Sequence, residues 1–291
     1  MACEKPTKAF RPANGGPVRF SAPNPDRDPG TYEQINLPCG KCLLCRLEYA
    51  RQWAVRITHE AQFHETNCFI TLTYDDKHLP EHGSLHYPDL QKFWKRLRKE
   101  IGPLSYYAVG EYGDNTNRPH YHACVFGHDF TNDRRILRTE PTLLWTSPVL
   151  EEAWGNGNVS VGALNFQTAQ YTASYVTKKL HGKQYVRLDI ESGELVPLVQ
   201  PRATMSLNPA VGKRWFEKFG NQAYDHDRVI VNGKEQKPPR YYDQLLAAKS
   251  ETRAEEIKKK RRESATPLTP EETRARALLA RARAKSKKKS V

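Results

Sequence analysis

Residues 105–127 read SYYAVGEYGDNTNRPHYHACVFG. Two runs rich in aromatic and β-branched residues flank a turn-rich DNTNRP, which is the pattern of an antiparallel hairpin. The second run carries His120 and His122 at alternating positions. Alternate side chains of a strand share a face, so both imidazoles point one way and Tyr121 the other. Neutral imidazoles two apart on a strand are a natural pair of ligands for a divalent ion. An arbitrary H-x-H is more often a pair of satisfied structural histidines, but Glu111 on the first run shifts the balance. If the hairpin sets Glu111 opposite His120 or His122, its carboxylate joins the imidazoles. A one-residue slip would send it to the far face. Two imidazoles and one carboxylate leave coordination positions open. That suits Mg2+ or Mn2+, with phosphate oxygens filling the vacant positions.

Further strands and helices surround this hairpin. NCFITLTY, 67–74, is a strong strand signal closed by DDKHLP. YPDLQKFWKRLRKEIG, 87–102, reads as a basic helix with Leu90, Phe93, Trp94 and Leu97 facing inward, stopped at Gly102-Pro103. Helical periodicity also runs from about Leu44 to His64 and over residues 166–180. The order strand, helix, strand, strand, helix predicts an α+β fold, a central antiparallel sheet with helices packed on it. Residues 1–38, rich in Pro, Gly, Asn and Asp, read as an irregular N-terminal arm. Residues 39–246 form the main domain, with a β-like segment near 184–200, a short helix around Gly212–Phe219 and an extended piece over 223–242. Residues 247–291 form a basic tail, helical or disordered.

The helix at 166–180, FQTAQYTASYVTKKL, places Tyr171, Tyr175 and Lys178 on one face. An aromatic stripe at this spacing is usually core. Here the flanking Gln170, Thr172, Ser174, Thr177, Lys178 and Lys179 leave little apolar surface to bury, so a working surface is the better reading. A phenol with pKa near 10 is ionised in only about one molecule in a thousand at pH 7. A nearby cation and ammonium can offset that cost, roughly 4 kcal/mol over three units. Tyrosinate would then attack a phosphorus activated by the metal, giving a phosphotyrosine ester that keeps the energy of the broken bond. Two tyrosines permit a second transfer while the first adduct persists.

The formal net charge is +13 over 291 residues. Residues 249–291 hold 15 Lys/Arg against 6 Asp/Glu, which leaves +9 there and +4 in the preceding 248 residues. A basic tail of this kind suggests a polyanionic partner, nucleic acid first, with a merely solubilising role as the alternative. No run approaches the length needed to cross a bilayer, and MACEKPTKAF lacks the apolar middle of a secretory signal. A soluble cytoplasmic protein with no membrane partner is therefore expected.

Cys39-x-x-Cys42-x-x-Cys45 has the spacing of a zinc-binding knuckle. Three thiolates do not close a structural site, and Cys3 is the one thiol outside the strands that can serve as the fourth. Structural Zn2+ and free thiols both remain open. An iron–sulfur cluster is disfavoured, because the further Cys-Pro of the ferredoxin run is missing. Cys68 and Cys124 fall inside apolar strands and read as core. His59-Glu60 with His64 imitates a zinc-protease motif, but the spacing is one residue too long and sets the histidines about 140° apart on a helix. Asp75-Asp76 reads as a turn.

Together, R-P-H-Y-H at 118–122 and Y-x-x-x-Y-x-x-K at 171–178 resemble the metal and two-tyrosine motifs of the HUH endonucleases. FITLTY resembles the first motif of rolling-circle replication initiators. PCGKCLLC at 38–45, MSLNPAVGKRWFEK at 205–218 and PPRYYDQLL at 238–246 are similar to the gokushovirus branch of the microviruses. The resemblance covers most of residues 38–246. It implies a phage replication initiator that nicks one strand of the double-stranded replicative form at the viral origin. The protein would stay joined to the 5′ phosphate through tyrosine and later close the strand. By position it makes His120, His122 and Glu111 metal ligands, Tyr171 and Tyr175 nucleophiles and Lys178 the lysine of the motif, with Lys179 as an alternate and Arg118 and Lys179 on DNA. It further implies the host bacterial cytoplasm, viral origin DNA as substrate, and a host helicase, single-strand-binding protein and DNA polymerase as partners. The chain shows no Walker phosphate loop of its own. An HUH transposase or relaxase, or a non-catalytic nucleic-acid-binding protein, are the rival readings.

Overall fold

The protein was analysed as a computed structural model, described for residues 3–289 except 25, 29, 114, 115, 180–184, 190, 191 and 267, and without the side chains of 176–179 and 284–289. Two compact units emerge: residues 1–48 with 265–291, and residues 49–264.

In the first unit, β1 (Thr7–Pro12) and β2 (Tyr32–Leu37) pair antiparallel, Thr7 opposite Leu37. The arm is thus irregular outside one two-stranded hairpin. α1 (Leu43–Ala61) begins in this unit and continues into the second.

The second unit is organised on one antiparallel sheet. It contains β3 (Asn67–Thr73), α2 (Tyr87–Ile101), β4 (Ser105–Tyr112), β5 (Pro119–Phe126), β6 (Arg135–Arg138), β7 (Leu144–Thr146), α3 (Pro148–Trp154), β8 (Val159–Ala163) and α4 (Phe166–Lys179). After these come β9 (Val186–Leu188), β10 (Leu195–Pro197), β11 (Ala203–Met205), α5 (Lys213–Asp225), β12 (Val229–Val231), β13 (Lys234–Gln236), α6 (Arg240–Lys249) and α7 (Glu251–Glu263). α8 (Pro270–Lys289) returns to the first unit. The sheet order is β11-β4-β5-β3-β8-β7-β6, so the site-bearing strands β4 and β5 lie inside it.

Both faces of these central strands are covered, which is why their sequences are nearly continuous in apolar residues. Ile70, Leu72, Ala108, Tyr121, Ala123 and Val125 point to one face, against Leu90, Phe93, Trp94 and Leu97 of α2 and Leu150 and Trp154 of α3. Tyr107, Val109, Cys124 and Phe126 point to the other, against Ala50, Ala54 and Ile57 of α1 and Ala169, Ala173 and Tyr175 of α4. Burying one such Leu, Ile or Phe side chain contributes on the order of 1.5–3 kcal/mol. α2 stops at Gly102, whose φ of 86° lies in the region that only glycine adopts without strain.

The piece expected to be extended over 223–242 is instead the end of α5, the hairpin β12–β13 and the start of α6. Asn232-Gly233, both at positive φ, turn the hairpin, and Val229 and Val231 bury beside Trp215, Tyr224 and Tyr242. The basic tail is not uniform either. α7 buries Ala254 and Ile257 in the same cluster, and Arg261 forks onto Asp227 and Asp243. A two-residue apolar stripe is too narrow to stand out in so charged a sequence.

Candidate metal and tyrosine site

The register of the β4–β5 hairpin settles the face of Glu111. Glu111 stands opposite His120, and Val109 opposite His122. All three polar side chains therefore emerge on the face that α1 and α4 cover. Glu111 and His122 are buried and His120 is partly so.

The three donors converge. His120 Nε2 lies 2.7 Å from Glu111 Oε1, and His122 Nε2 lies 3.7 Å from the same oxygen. The ligand atoms of the three residues all fall within 4.8 Å of one another. Cis ligands of one small divalent ion stand about 3 Å apart, so the spacing suits such an ion. Hydrogen bonding gives a second sign. His120 Nδ1 sits 3.1 Å from the Arg118 carbonyl oxygen, which can only accept, so Nδ1 carries the proton. In the neutral ring Nε2 is then a lone pair aimed at a carboxylate oxygen. Two acceptors in that position need a positive charge between them. Glu111 Oε2, meanwhile, is buried with no hydrogen-bond partner among the described residues. Burial pushes the Glu111 carboxyl up, but the two imidazoles outweigh it and hold the group below its ordinary range. The donor set and its geometry fit a divalent cation.

A supporting residue escaped the sequence reading. Thr71 on β3 pairs with His122, and its Oγ1 lies 3.0 Å from His122 Nδ1. That contact fixes the ring so that Nε2 turns toward Glu111. Phe69, two residues earlier on the same face, runs nearly parallel to the His122 ring at 5.4 Å. The period-2 pattern of FITLTY placed both side chains on one face. What it could not supply was which strand that face would meet.

α4 delivers the tyrosines. Asn165 and Thr168 cap its start reciprocally, each side chain accepting from the other's backbone N–H. Thr172, buried inside the helix, returns its hydroxyl to the Thr168 carbonyl, which is how a threonine-rich segment stays helical. Ala169 and Ala173 seat the helix on the sheet, and Tyr171 and Tyr175 flank them. Both phenol rings reach His122: Tyr171 edge-on at 5.5 Å and Tyr175 stacked at 5.3 Å between centroids. Lys178 and Lys179 continue α4, and their side chains lie outside the described residues.

Other expected residues fall as follows. Arg118 donates to Asp76 Oδ1 at 2.6 Å and to the Tyr74 carbonyl at 3.0 Å. Cys68 and Cys124 are core. His59 stacks on Trp215 and bonds Tyr242, while Glu60 accepts from Gly212 N and meets His64, so that trio ties α1 to the α5–α6 region. Asp75 caps its turn by accepting from His78 N. Cys3, Cys39, Cys42 and Cys45 come together in the first unit. Among the described residues no helix is long and apolar enough to cross a membrane.

Residues 67–180, which carry the hairpin and both tyrosines, match the family model for replication-associated proteins of the ORF2 type. The chain is 34% identical over 254 residues to Replication-associated protein VP4 of Bdellovibrio phage phiMH2K, covering 83% of this chain and 76% of the relative. It is 30% identical over 269 residues to Replication-associated protein ORF2 of Spiroplasma virus 4, covering 84% and 80%. To Replication-associated protein ORF4 of Chlamydia phage 1 it is 32% identical over 232 residues, covering 74% and 56%. No solved structure gives a significant match. With identity of this extent spread over most of its length, the chain belongs to the microvirus-type replication-associated proteins of the ORF2 family.

Proposed function

We propose that this protein initiates rolling-circle replication of a phage genome by nicking one strand of the double-stranded replicative form at the origin and holding the 5′ end as a phosphotyrosine. The observation that carries the reading is the packing of two phenols, Tyr171 and Tyr175, against one ring of a carboxylate–imidazole cluster on the neighbouring sheet. A purely structural aromatic stripe has no need of three convergent ligand atoms beside it.

A divalent cation, Mg2+ or Mn2+, held by Glu111, His120 and His122 would supply positive charge to a non-bridging oxygen of the scissile phosphate. Everything else falls to the chain. One tyrosine oxygen attacks phosphorus and forms the new P–O bond. The bond to the 3′ oxygen breaks, and the departing oxygen takes up a proton to become the 3′-OH that primes synthesis. Lys178, one turn beyond Tyr175 on α4, is assigned by position to help the phenol lose its proton, with Lys179 as the alternate. The exchange replaces one phosphodiester with another, so the strand can later be rejoined without ATP. The second tyrosine would cut the regenerated origin while the first adduct persists. Arg118 is assigned to DNA. Its exposed Asp76 partner holds it by less than about 1 kcal/mol, so a phosphate can replace that contact at little cost. Unwinding and synthesis fall to a host helicase, single-strand-binding protein and polymerase, in the host cytoplasm.

The test is a denaturing gel after incubation with single-stranded origin DNA and Mn2+. The expected result is a covalent protein–DNA band that disappears in the Tyr171→Phe/Tyr175→Phe double variant. A band that survives the double substitution, or no band with folded protein across the viral origin region, sinks the reading.

A further inference from the structure

The four thiols of the first unit stand apart from the site on the sheet. Their sulfurs all lie within 4.8 Å of one another, and Cys42 Sγ is 3.9 Å from Cys3 Sγ. Four sulfurs at zinc–thiolate bond length around one tetrahedral ion are separated by about 3.8 Å. Disulfide partners would sit near 2 Å. Thiolates around an iron–sulfur cluster, spread over several irons, stand farther apart than those on a single ion.

The backbone is arranged for charge on these sulfurs. Cys39 N donates to Cys3 Sγ at 3.3 Å, while Lys41 N and Cys42 N donate to Cys39 Sγ at 3.4 and 3.3 Å. Such N–H donors stabilise thiolate over thiol and orient it for a metal. The turn that presents them is Cys39-Gly40-Lys41-Cys42, with Gly40 at φ +71°, a conformation strained for other residues. Cys45 lies buried in the first turn of α1, where the helix dipole favours negative charge.

The unit also needs a tie. Among its described residues only Ala9, Cys45 and Ala277 are buried hydrophobics. A segment with so small a core is the kind that a disulfide or a metal must hold together.

We propose that Cys3, Cys39, Cys42 and Cys45 form a closed structural Zn2+ site that folds the N-terminal unit by joining the start of the chain to the knuckle before α1. Each thiol gives its proton to solvent as it binds, and the four sulfurs fill the coordination sphere, leaving no position for substrate. The metal therefore organises the arm around β1 and β2 and takes no part in strand cleavage.

The experiment uses the untagged full chain purified without added metal. Elemental analysis should find about one zinc per chain, retained in His120→Ala/His122→Ala and lost at least tenfold in Cys39→Ser/Cys42→Ser. Replacement of zinc by Co2+ in the wild-type chain should give the intense ligand-field bands of tetrahedral cobalt–thiolate, independently of how any variant folds. Chelation should make residues 1–38 sensitive to protease while the 49–264 unit stays resistant. Iron in place of zinc, zinc that persists without Cys39 and Cys42, disulfides among the four, or a metal-free wild-type chain would each overturn the proposal.

Discussion

Tyr171 and Tyr175 meet edge to face on α4 with ring centroids 4.5 Å apart, yet Tyr171 is 45% exposed and Tyr175 only 6%. The two nucleophile positions are therefore inequivalent in the resting protein. Incoming DNA meets Tyr171 first, so Tyr171→Phe should lower the rate of the first adduct at least tenfold more than Tyr175→Phe. Peptide mapping of the adduct formed on single-stranded DNA checks this. An adduct found on Tyr175 alone would reverse the order.

Thr71 holds His122 through Nδ1 at 3.0 Å. Thr71→Ala should weaken Mn2+ binding about 10- to 100-fold, the usual effect of removing such a supporting hydrogen bond, with Thr71→Ser restoring most of it. Glu111→Gln should weaken binding more, since it removes a charged ligand. Mn2+ should bind more tightly than Mg2+, because imidazole suits the softer ion. Calorimetric titration measures all three.

His59 is fully buried, and burial pushes its pKa down to about 3, against 6.5 for the free side chain. The unfolded chain therefore binds the proton more readily, and stability is at its full value above pH 6.5 and falls as pH drops toward 3. Between pH 7 and pH 5 this one group costs about 2 kcal/mol. Urea unfolding at the two pH values should show that loss in the wild type and a clearly smaller one in His59→Gln. Equal losses would mean that His59 is not the group responsible.

Gly157 has φ +140°, and a Cβ there would stand 2.6 Å from the Thr73 carbonyl oxygen and closer still to Asp75 N. Those are backbone atoms that cannot yield. Gly157→Ala should destabilise the main unit by about 2–4 kcal/mol, whereas Gly193→Ala, which meets nothing within 4 Å, should cost less despite its own positive φ. Thermal or denaturant midpoints of the two variants decide it.

Residues 265–291 carry eight Lys/Arg and two Glu. A chain ending at Ser264 keeps Ala254, Ile257 and Arg261 in place and should keep its Mn2+ affinity. Its DNA binding should weaken, and the slope of log affinity against log salt should fall by roughly 0.7–0.9 for each phosphate that the tail neutralises in the full chain. An unchanged slope would remove the tail from the DNA interface.

The sequence by itself determined which side chains share a face. His120 and His122 alternate on a strand, and Tyr171 and Tyr175 recur on a helix, because the 2-residue and 3.6-residue periods are local properties of the backbone. It also carried the sheet-and-helix order, through the apolar patterns of β3, α2, β4 and β5. Only the tertiary structure decided that Glu111 stands opposite His120 and that α4 lies on the histidine face and not the other. It alone brought Thr71 and Phe69 to His122 and carried Cys3 to Cys39, Cys42 and Cys45. These contacts join residues far apart in the chain. Their formation depends on how faces pack and strands register, which no local period encodes.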